Sequence, residues 1–429
     1  MKTKHTALST TIASLTHRLS LSLLMIASLT SPSWANVKVA EIVRKPVVND
    51  DKITIRIKVK GEEDRPAMGL QDTDFKLLVD KKEVKFKTQD WKSPEESVPP
   101  PAWIIVLLDF SGSMNQPDSR GGKKIVGAIN AIRQFTKVSS ERGGNTQIAI
   151  VPFGKSSIYC KQGYPISNET LDKFFIASDF KLQNNLDYIA SLTPCASTNL
   201  YEPLMKAVKF LANTKDPRFY LLADSPEPQP RLSIILLSDG YHNASNEEQD
   251  FQTLSTLLKR NNNITVHTLG YGLTPEQLGQ KYKLGKAATR ANIGKGAGKV
   301  PEEEFVDKKR LAEIAKLTGG IAEFSGDAET IAENLQLFLN ALLGEYEITY
   351  TQPNAERGSK HDVQVEVASK GATAVKSQPQ SYTIRVFGRS LPLTVRLIML
   401  GCIFMAIGLG GVVPFYFWGQ YLKQEALRD

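Results

Sequence analysis

The stretch Trp103-Ile-Ile-Val-Leu-Leu-Asp-Phe-Ser-Gly-Ser113 decides how this chain is read. Trp103–Leu108 is apolar without a break and runs straight into Asp109. A half-buried strand alternates apolar and polar residues. A strand apolar at every position is covered on both sides, as strands are in a parallel sheet between two layers of helices. Immediately after it, Asp109-x-Ser111-x-Ser113 sets a carboxylate and two hydroxyls at the strand's carboxyl end. In open α/β sheets that is where ligands bind, at the point where the strand order reverses.

Outward from this segment the pattern repeats. Ile125–Val138 has helical spacing and Gln147–Phe153 reads as a second strand. Leu200–Leu211 is a helix and Ser233–Ser238 a third buried strand. Phe251–Leu258, Ile264–Leu269, Leu311–Leu317, Ile321–Phe324 and Ile331–Leu343 continue the alternation. Strand and helix in turn predict an α/β fold over residues 102–343, with a doubly wound, mainly parallel sheet. Stretches 155–185, 214–230 and 273–305 interrupt it.

On either side the period changes to two. Residues 36–92 contain Ile53, Ile55, Ile57 and Val59 alternating with Thr54, Arg56 and Lys58, then Phe75–Val79 and Glu83–Lys87 split by a turn at Asp80-Lys-Lys82. After 344, Tyr346–Tyr350, Val363–Val367 and Tyr382–Val386 alternate in the same way, up to about residue 388. These strands read as a small β-sandwich-like module built from both flanks, with the α/β domain inserted; two separate β units are the alternative. Residues 93–101 carry four prolines and read as a stiff linker.

Two apolar runs lie near the ends. Leu19–Leu29 follows Lys2, Lys4 and Arg18 and precedes small residues Ser33 and Ala35, the pattern of a signal peptide over 1–35. Its removal takes away three basic residues and no acid, so the formal charge falls from +8 to +5. Leu397–Trp418 is uncharged and long enough to cross a bilayer, with an aromatic cluster Phe415–Trp418 at its far end. This predicts a transmembrane helix over 391–418 and a cytoplasmic tail over 419–429, with the main body periplasmic or extracellular. With 41% hydrophobic and 23% charged residues among 429, and no other span, the chain is neither disordered nor a polytopic transporter. Nucleic acid is not an expected partner of an exported chain.

Three polar clusters fall at predicted strand or helix ends: Asp109-Phe-Ser111-Gly-Ser113, Ala196-Ser-Thr198-Asn, and Ser238-Asp239-Gly240. Together they offer two carboxylates and three hydroxyls, all oxygen donors. Such a set suits a hard divalent cation, Mg²⁺ above all, with Ca²⁺ and Mn²⁺ also compatible. The donors are too few for a closed cage, which leaves a position for a carboxylate from a partner. Asp109-x-Ser111-x-Ser113 followed by Thr198 and Asp239 resembles the metal-ion-dependent adhesion site of von Willebrand factor type A domains. The resemblance covers about 103–343. Ala67–Leu70 through Phe75, with Asp80–Val84, looks like the leader of bacterial type A-related proteins, and Tyr346–Val386 like their C-terminal strands. It implies that Ser111, Ser113 and Thr198 touch the metal directly, that Asp109 and Asp239 act mainly through water, and that a ligand supplies Asp or Glu. Ser197 stands where the family usually has glycine.

Other chemistry is weaker. Cys160 and Cys195 are disulfide candidates in an oxidising compartment, whereas Cys402 sits in the membrane span. His5, His17, His242, His267 and His361 have no ligand spacing; His242, which follows the Asp239 turn, reads as a surface-loop residue, with a place lining the metal face as the alternative. Gly294-Lys-Gly-Ala-Gly298-Lys299 fails the phosphate-loop spacing, and the basic stretch 273–305 offers a contact with an anionic surface. The expected function is a non-enzymatic, membrane-anchored binding or adhesion protein whose metal meets a protein partner. The alternative is an accessory or assembly subunit of a membrane channel or secretion complex, with a regulatory metal site.

Overall fold

A computed structural model of the chain describes residues 37–142, 145–158, 160–222, 228–242, 246–369, 373–384 and 393–427. The signal-peptide reading of 1–35, the strand end beyond 384 and the first residues of the predicted span lie outside them.

The first strands are β1 (Val39–Ile42), β2 (Val47–Asn49), β3 (Lys52–Lys60), β4 (Phe75–Val79), β5 (Lys82–Val84) and β6 (Trp91–Lys92). The alternation in β3 is realised: Ile53, Ile55, Ile57 and Val59 are buried while the residues between them are half-exposed. Asp80 and Lys81 both have positive φ, 50° and 67°, which makes the β4–β5 connection a two-residue hairpin turn. β5 therefore begins at Lys82 and ends at Val84, shorter than the predicted Glu83–Lys87.

The central unit follows: β7 (Ala102–Asp109), α1 (Lys124–Glu141), β8 (Thr146–Phe153), α2 (Asn168–Leu171), β9 (Phe175–Ile176), α3 (Phe180–Ser191), α4 (Tyr201–Leu211), β10 (Arg231–Ser238), α5 (Glu247–Arg260), β11 (Ile264–Tyr271), α6 (Pro275–Lys281), α7 (Lys308–Leu317), β12 (Ala322–Ser325) and α8 (Ala328–Leu343). Its sheet has the order β12-β11-β10-β7-β8-β9. The first five strands in that order are mutually parallel, and the short β9 pairs antiparallel with β8, so the sheet is mixed. β7 is buried on both faces, as its unbroken apolar run requires. Ile104, Val106 and Leu108 enter a core with α1, α3 and α8, and Ile105 and Leu107 enter a second core with α4, α5 and α7. From β7 the chain goes first to one side, β8, and then to the other, β10. The crevice at the carboxyl ends of β7 and β10 is therefore the switch point.

The chain then forms β13 (Tyr346–Thr351), β14 (Lys360–Val367), β15 (Val375–Lys376) and β16 (Gln380–Thr383). β13 pairs with β3 and β6, and β14 with β4, all antiparallel. Two five-stranded sheets result, sharing one core in which Ile55 and Ile348 meet Leu77 and Val365. The strands before and after the central unit thus belong to the same sheets. The proline segment differs from a free linker. Pro94, Ser97, Pro99 and Pro100 are buried, Ser97 Oγ donates to the Glu345 carbonyl at 2.8 Å, and Arg56 donates to the Val98 carbonyl at 2.7 Å.

At the C-terminus α9 (Leu393–Ile407) passes through a π-helical turn at Gly408–Val412 into α10 (Val413–Glu425). Leu397–Glu425 is long and apolar enough to cross a membrane. The helix continues past Trp418 to Glu425, into the segment read as tail. Stretch 273–305 is also more ordered than a basic loop. Leu278, Ala288, Val300 and Phe305 form a small core of their own, and Lys281 is paired with Glu304 at 2.8 Å.

Candidate metal centre

Asp109 closes β7 and Ser238 closes the adjacent β10. Register places them side by side, since Leu108 pairs with Leu237. Asp109 Oδ1 accepts the Ser111 backbone N–H at 2.8 Å, which bends the chain sharply out of the strand, and Oδ2 accepts the Ser238 hydroxyl. Ser238 Oγ in turn accepts the Gly240 N–H at 3.2 Å, so one hydroxyl braces both loops. Ser111 leads into a 3₁₀ turn, Gly112–Asn115, whose Met114 is fully buried and pins it to the core. The turn aims the two serines the same way: Ser111 Oγ and Ser113 Oγ are 3.0 Å apart, and Ser113 Oγ donates to Asp239 Oδ1 at 2.7 Å.

The third loop is stitched to the first. The N–H groups of Cys195 and Ala196 both donate to the Phe110 carbonyl, and the Gly112 N–H donates back to the Ala196 carbonyl. Lys155 and Ser197 exchange a reciprocal backbone pair at 2.9 Å. Cys160 and Cys195 are joined, with Cα atoms 5.3 Å apart, which ties the 154–166 segment to the loop that carries Thr198. Thr198 lies against Gly240: a Cβ at position 240 would stand 3.0 Å from Thr198 Oγ1. All five residues singled out in the sequence are thus brought to one crevice, at the carboxyl ends of β7 and β10.

Two further residues belong to this assembly: Lys124, not apparent in the sequence, and His242, whose sequence reading is a surface loop with a place lining the metal face as the alternative. Lys124, at the first turn of α1, is 2% exposed, and its Nζ donates to Asp239 Oδ2 at 2.7 Å. It shares the buried helix face with Ala128, Ile132 and Phe135, and a lysine on an apolar face was the signal available. His242 is not a surface-loop residue. It is buried, stacks on Tyr201 at 3.9 Å, and its Nδ1 accepts the Leu200 N–H at 3.3 Å, which binds the Asp239 loop to the start of α4.

Charge is the feature that most limits what this crevice does. Asp109 and Asp239 are both 0% exposed. Burial, and then the neighbouring Asp239 charge, push the Asp109 carboxyl well above the usual range. Two buried carboxylates face one ammonium, Lys124. Uncompensated charge in the interior is costly, so the site favours a further cation. The residues present fit one. The donors are hydroxyl and carboxylate oxygens, the chemistry of a hard divalent ion, and Ser111, Ser113, Thr198 and Asp239 are the groups that would hold it. Each oxygen of the two carboxylates already accepts one hydrogen bond, Asp109 from the Ser111 N–H and the Ser238 hydroxyl, Asp239 from the Ser113 hydroxyl and the Lys124 ammonium.

No family model matches the chain, and no curated protein matches it. Among solved structures, it is similar to a von Willebrand factor type A protein from Catenulispora acidiphila, at 12% identity and TM-score 0.39, over 84% of this chain and 76% of that one. It is similar to the pilus adhesin SpaC of Lactobacillus rhamnosus GG, at 13% identity and TM-score 0.36, over 83% and 49%. It is also similar to proximal thread matrix protein 1 of the mussel byssus, solved with zinc in its MIDAS motif, at 16% identity and TM-score 0.30, over 57% and 48%. The chain spans about half the length of the latter two.

Proposed function

We propose that this is an exported, membrane-anchored binding protein. The crevice at Asp109, Ser111, Ser113, Thr198 and Asp239 holds a divalent metal, Mg²⁺ in the first instance, and a carboxylate of a protein partner completes the coordination. The role is one of binding rather than catalysis. The observation that carries the reading is the imbalance between two fully buried carboxylates and one ammonium, inside an all-oxygen donor set at the switch point of the sheet. A bound divalent ion corrects that imbalance, and a partner carboxylate returns the site toward neutrality.

Metal binding alone is tested by melting. An ion that binds only the folded state stabilises it by about 2.7 kcal/mol at a concentration 100 times its dissociation constant. The full chain is expected to melt several degrees higher in Mg²⁺ than in EDTA, and Asp239→Asn to lose that difference while remaining folded. Partner capture from the native membrane is expected in Mg²⁺ and not in EDTA. Equal melting temperatures in the two buffers, with Mn²⁺ also without effect, would exclude the metal.

A further inference from the structure

At the N-terminal ends of β10 and β11, the end of the parallel sheet opposite Asp109, the β module faces the α/β unit across a cavity of about 980 Å³. Its origin lies in the period of β3. Ile53 to Val59 point into the sandwich, so Thr54, Arg56, Lys58 and Lys60 project from the other face, and all four line the cavity. The lining cations are Arg44, Lys45, Arg56, Lys58, Lys60 and Arg231; the lining acid is Glu41. Glu345, just behind the wall, pairs with Arg44 at 3.5 Å, with Arg56 at 3.7 Å and with Arg231. Arg56 also meets Glu347 at 3.0 Å, and Lys60 meets Asp64 at 3.6 Å. Lys45 and Lys58 have no ion pair within 4 Å among the described residues. Burial, followed by the charges of Arg231 and Lys60, lowers the Lys58 amine to about 8.

A second observation comes from the opposite wall. His267 of β11 is 1% exposed and lines the same cavity. Its Nδ1 accepts the Ile321 N–H at 3.1 Å, so the ring proton is on Nε2. Burial holds the ring neutral, with a pKa lowered to about 3. That Nε2–H has no hydrogen-bond acceptor among the described residues. The two walls therefore present an ammonium, guanidiniums and an N–H, which are donors only, and a ligand that complements them brings negative charge and several acceptors. A planar carboxylate serves donors in one plane. A tetrahedral phosphate has acceptor oxygens on more than one side and serves donors that converge from two walls.

We propose that this cavity binds a phosphate-bearing ligand, held by Lys58, Lys45 and Arg44 of the β module and by the Nε2–H of His267. The inference does not rest on the metal reading, because the two sites lie at opposite ends of the sheet.

The test uses the full chain in a neutral detergent, with EDTA present so that no metal–phosphate complex forms at Asp109. Pyrophosphate and dioctanoyl phosphatidylglycerol are titrated separately by calorimetry. Lys58→Met and Lys45→Met are compared with Lys137→Met, a control on the exposed face of α1. Saturable pyrophosphate binding is expected, weakened roughly tenfold or more by Lys58→Met and by Lys45→Met and unchanged in the control. Saturable binding of the lipid alone, with the same dependence on Lys58 and Lys45, also upholds the site and assigns the phosphate to a headgroup. Should Lys58→Met fail to fold, the surface variant Lys45→Met decides. The proposal is overturned if neither probe saturates at millimolar concentration, or if binding is the same in the control and in the cavity variants.

Discussion

Lys124 is the residue whose removal separates two accounts of the crevice. It is a buried ammonium bonded to a buried carboxylate, 2% and 0% exposed and 2.7 Å apart. Breaking a buried pair by deleting one partner strands the other charge and costs about 3–5 kcal/mol. Lys124→Met, which keeps the length of the apolar stem, is therefore expected to destabilise the protein by about that much in EDTA. If a divalent cation takes over the same charge, Mg²⁺ restores much of the loss, so the Mg²⁺-dependent rise in melting temperature is larger in the variant than in the native chain. A variant with no larger rise than the native protein would mean that the ammonium, not a metal, is the cation the carboxylates require. His242 acts differently. It contributes no donor to the site, but it closes the gap between the Asp239 loop and α4, and burial lowers its pKa so that the ring stays neutral in that position.

At the level of elements, the Thr198 loop is the part least supported by regular structure. It lies between α3 and α4 and is held by the Phe110 carbonyl, the reciprocal Lys155–Ser197 pair and the Cys160–Cys195 bridge. A cross-link spanning 35 residues stabilises by roughly 3–4 kcal/mol through the restriction it places on the unfolded chain. Replacing both cysteines by serine is expected to lower stability by about that amount in denaturant titration. The serine pair also releases the 154–166 segment from the loop, so the Mg²⁺-dependent stabilisation should weaken as well. A double variant with native stability and a native response to Mg²⁺ would show that the backbone pairs hold the loop unaided. Gly240 is constrained from the same direction, because any side chain there presses on Thr198 Oγ1.

Across the whole molecule, what the sequence revealed follows from how local each signal is. β7 is legible because both of its faces are buried, so every position is apolar whatever its register. Asp109, Ser111, Ser113 and Asp239 follow from strand ends, which the same apolar runs mark. Lys124 is not legible in that way. A lysine beside another lysine at a helix start reads as solvated, and its spacing with Ala128, Ile132 and Phe135 is the one local sign that its side chain points inward. The proline segment read as a linker because its burial depends on Arg56 and Glu345, which are distant in sequence. The pairing of β3 with β13 spans nearly 300 residues, and no local period carries that information.

Among the described residues, the C-terminal helix is the element whose apolar surface has no place in any of these cores. Leu397–Glu425 extends about 43 Å at 1.5 Å per residue, more than a bilayer's hydrocarbon thickness. Leu397, Phe404, Leu409 and Phe415 are each more than half exposed, and from Leu397 onward the helix has no buried residue among the described ones. Its glycines at the π-helical turn add no packing either, since open space surrounds Gly408, Gly410 and Gly411. An apolar face of that size is stable only when lipid or another helix covers it. The body, by contrast, completes its own cores without it. A chain ending after Ile384 is therefore expected to leave the membrane fraction for the soluble fraction while melting at the native temperature. The full chain is expected to resist carbonate extraction and to require detergent. A truncated chain that melts lower than the native protein would show that the helix packs against the body, and one that stays with the membrane would place the anchor elsewhere, which makes fractionation and melting of the same two proteins a complete test.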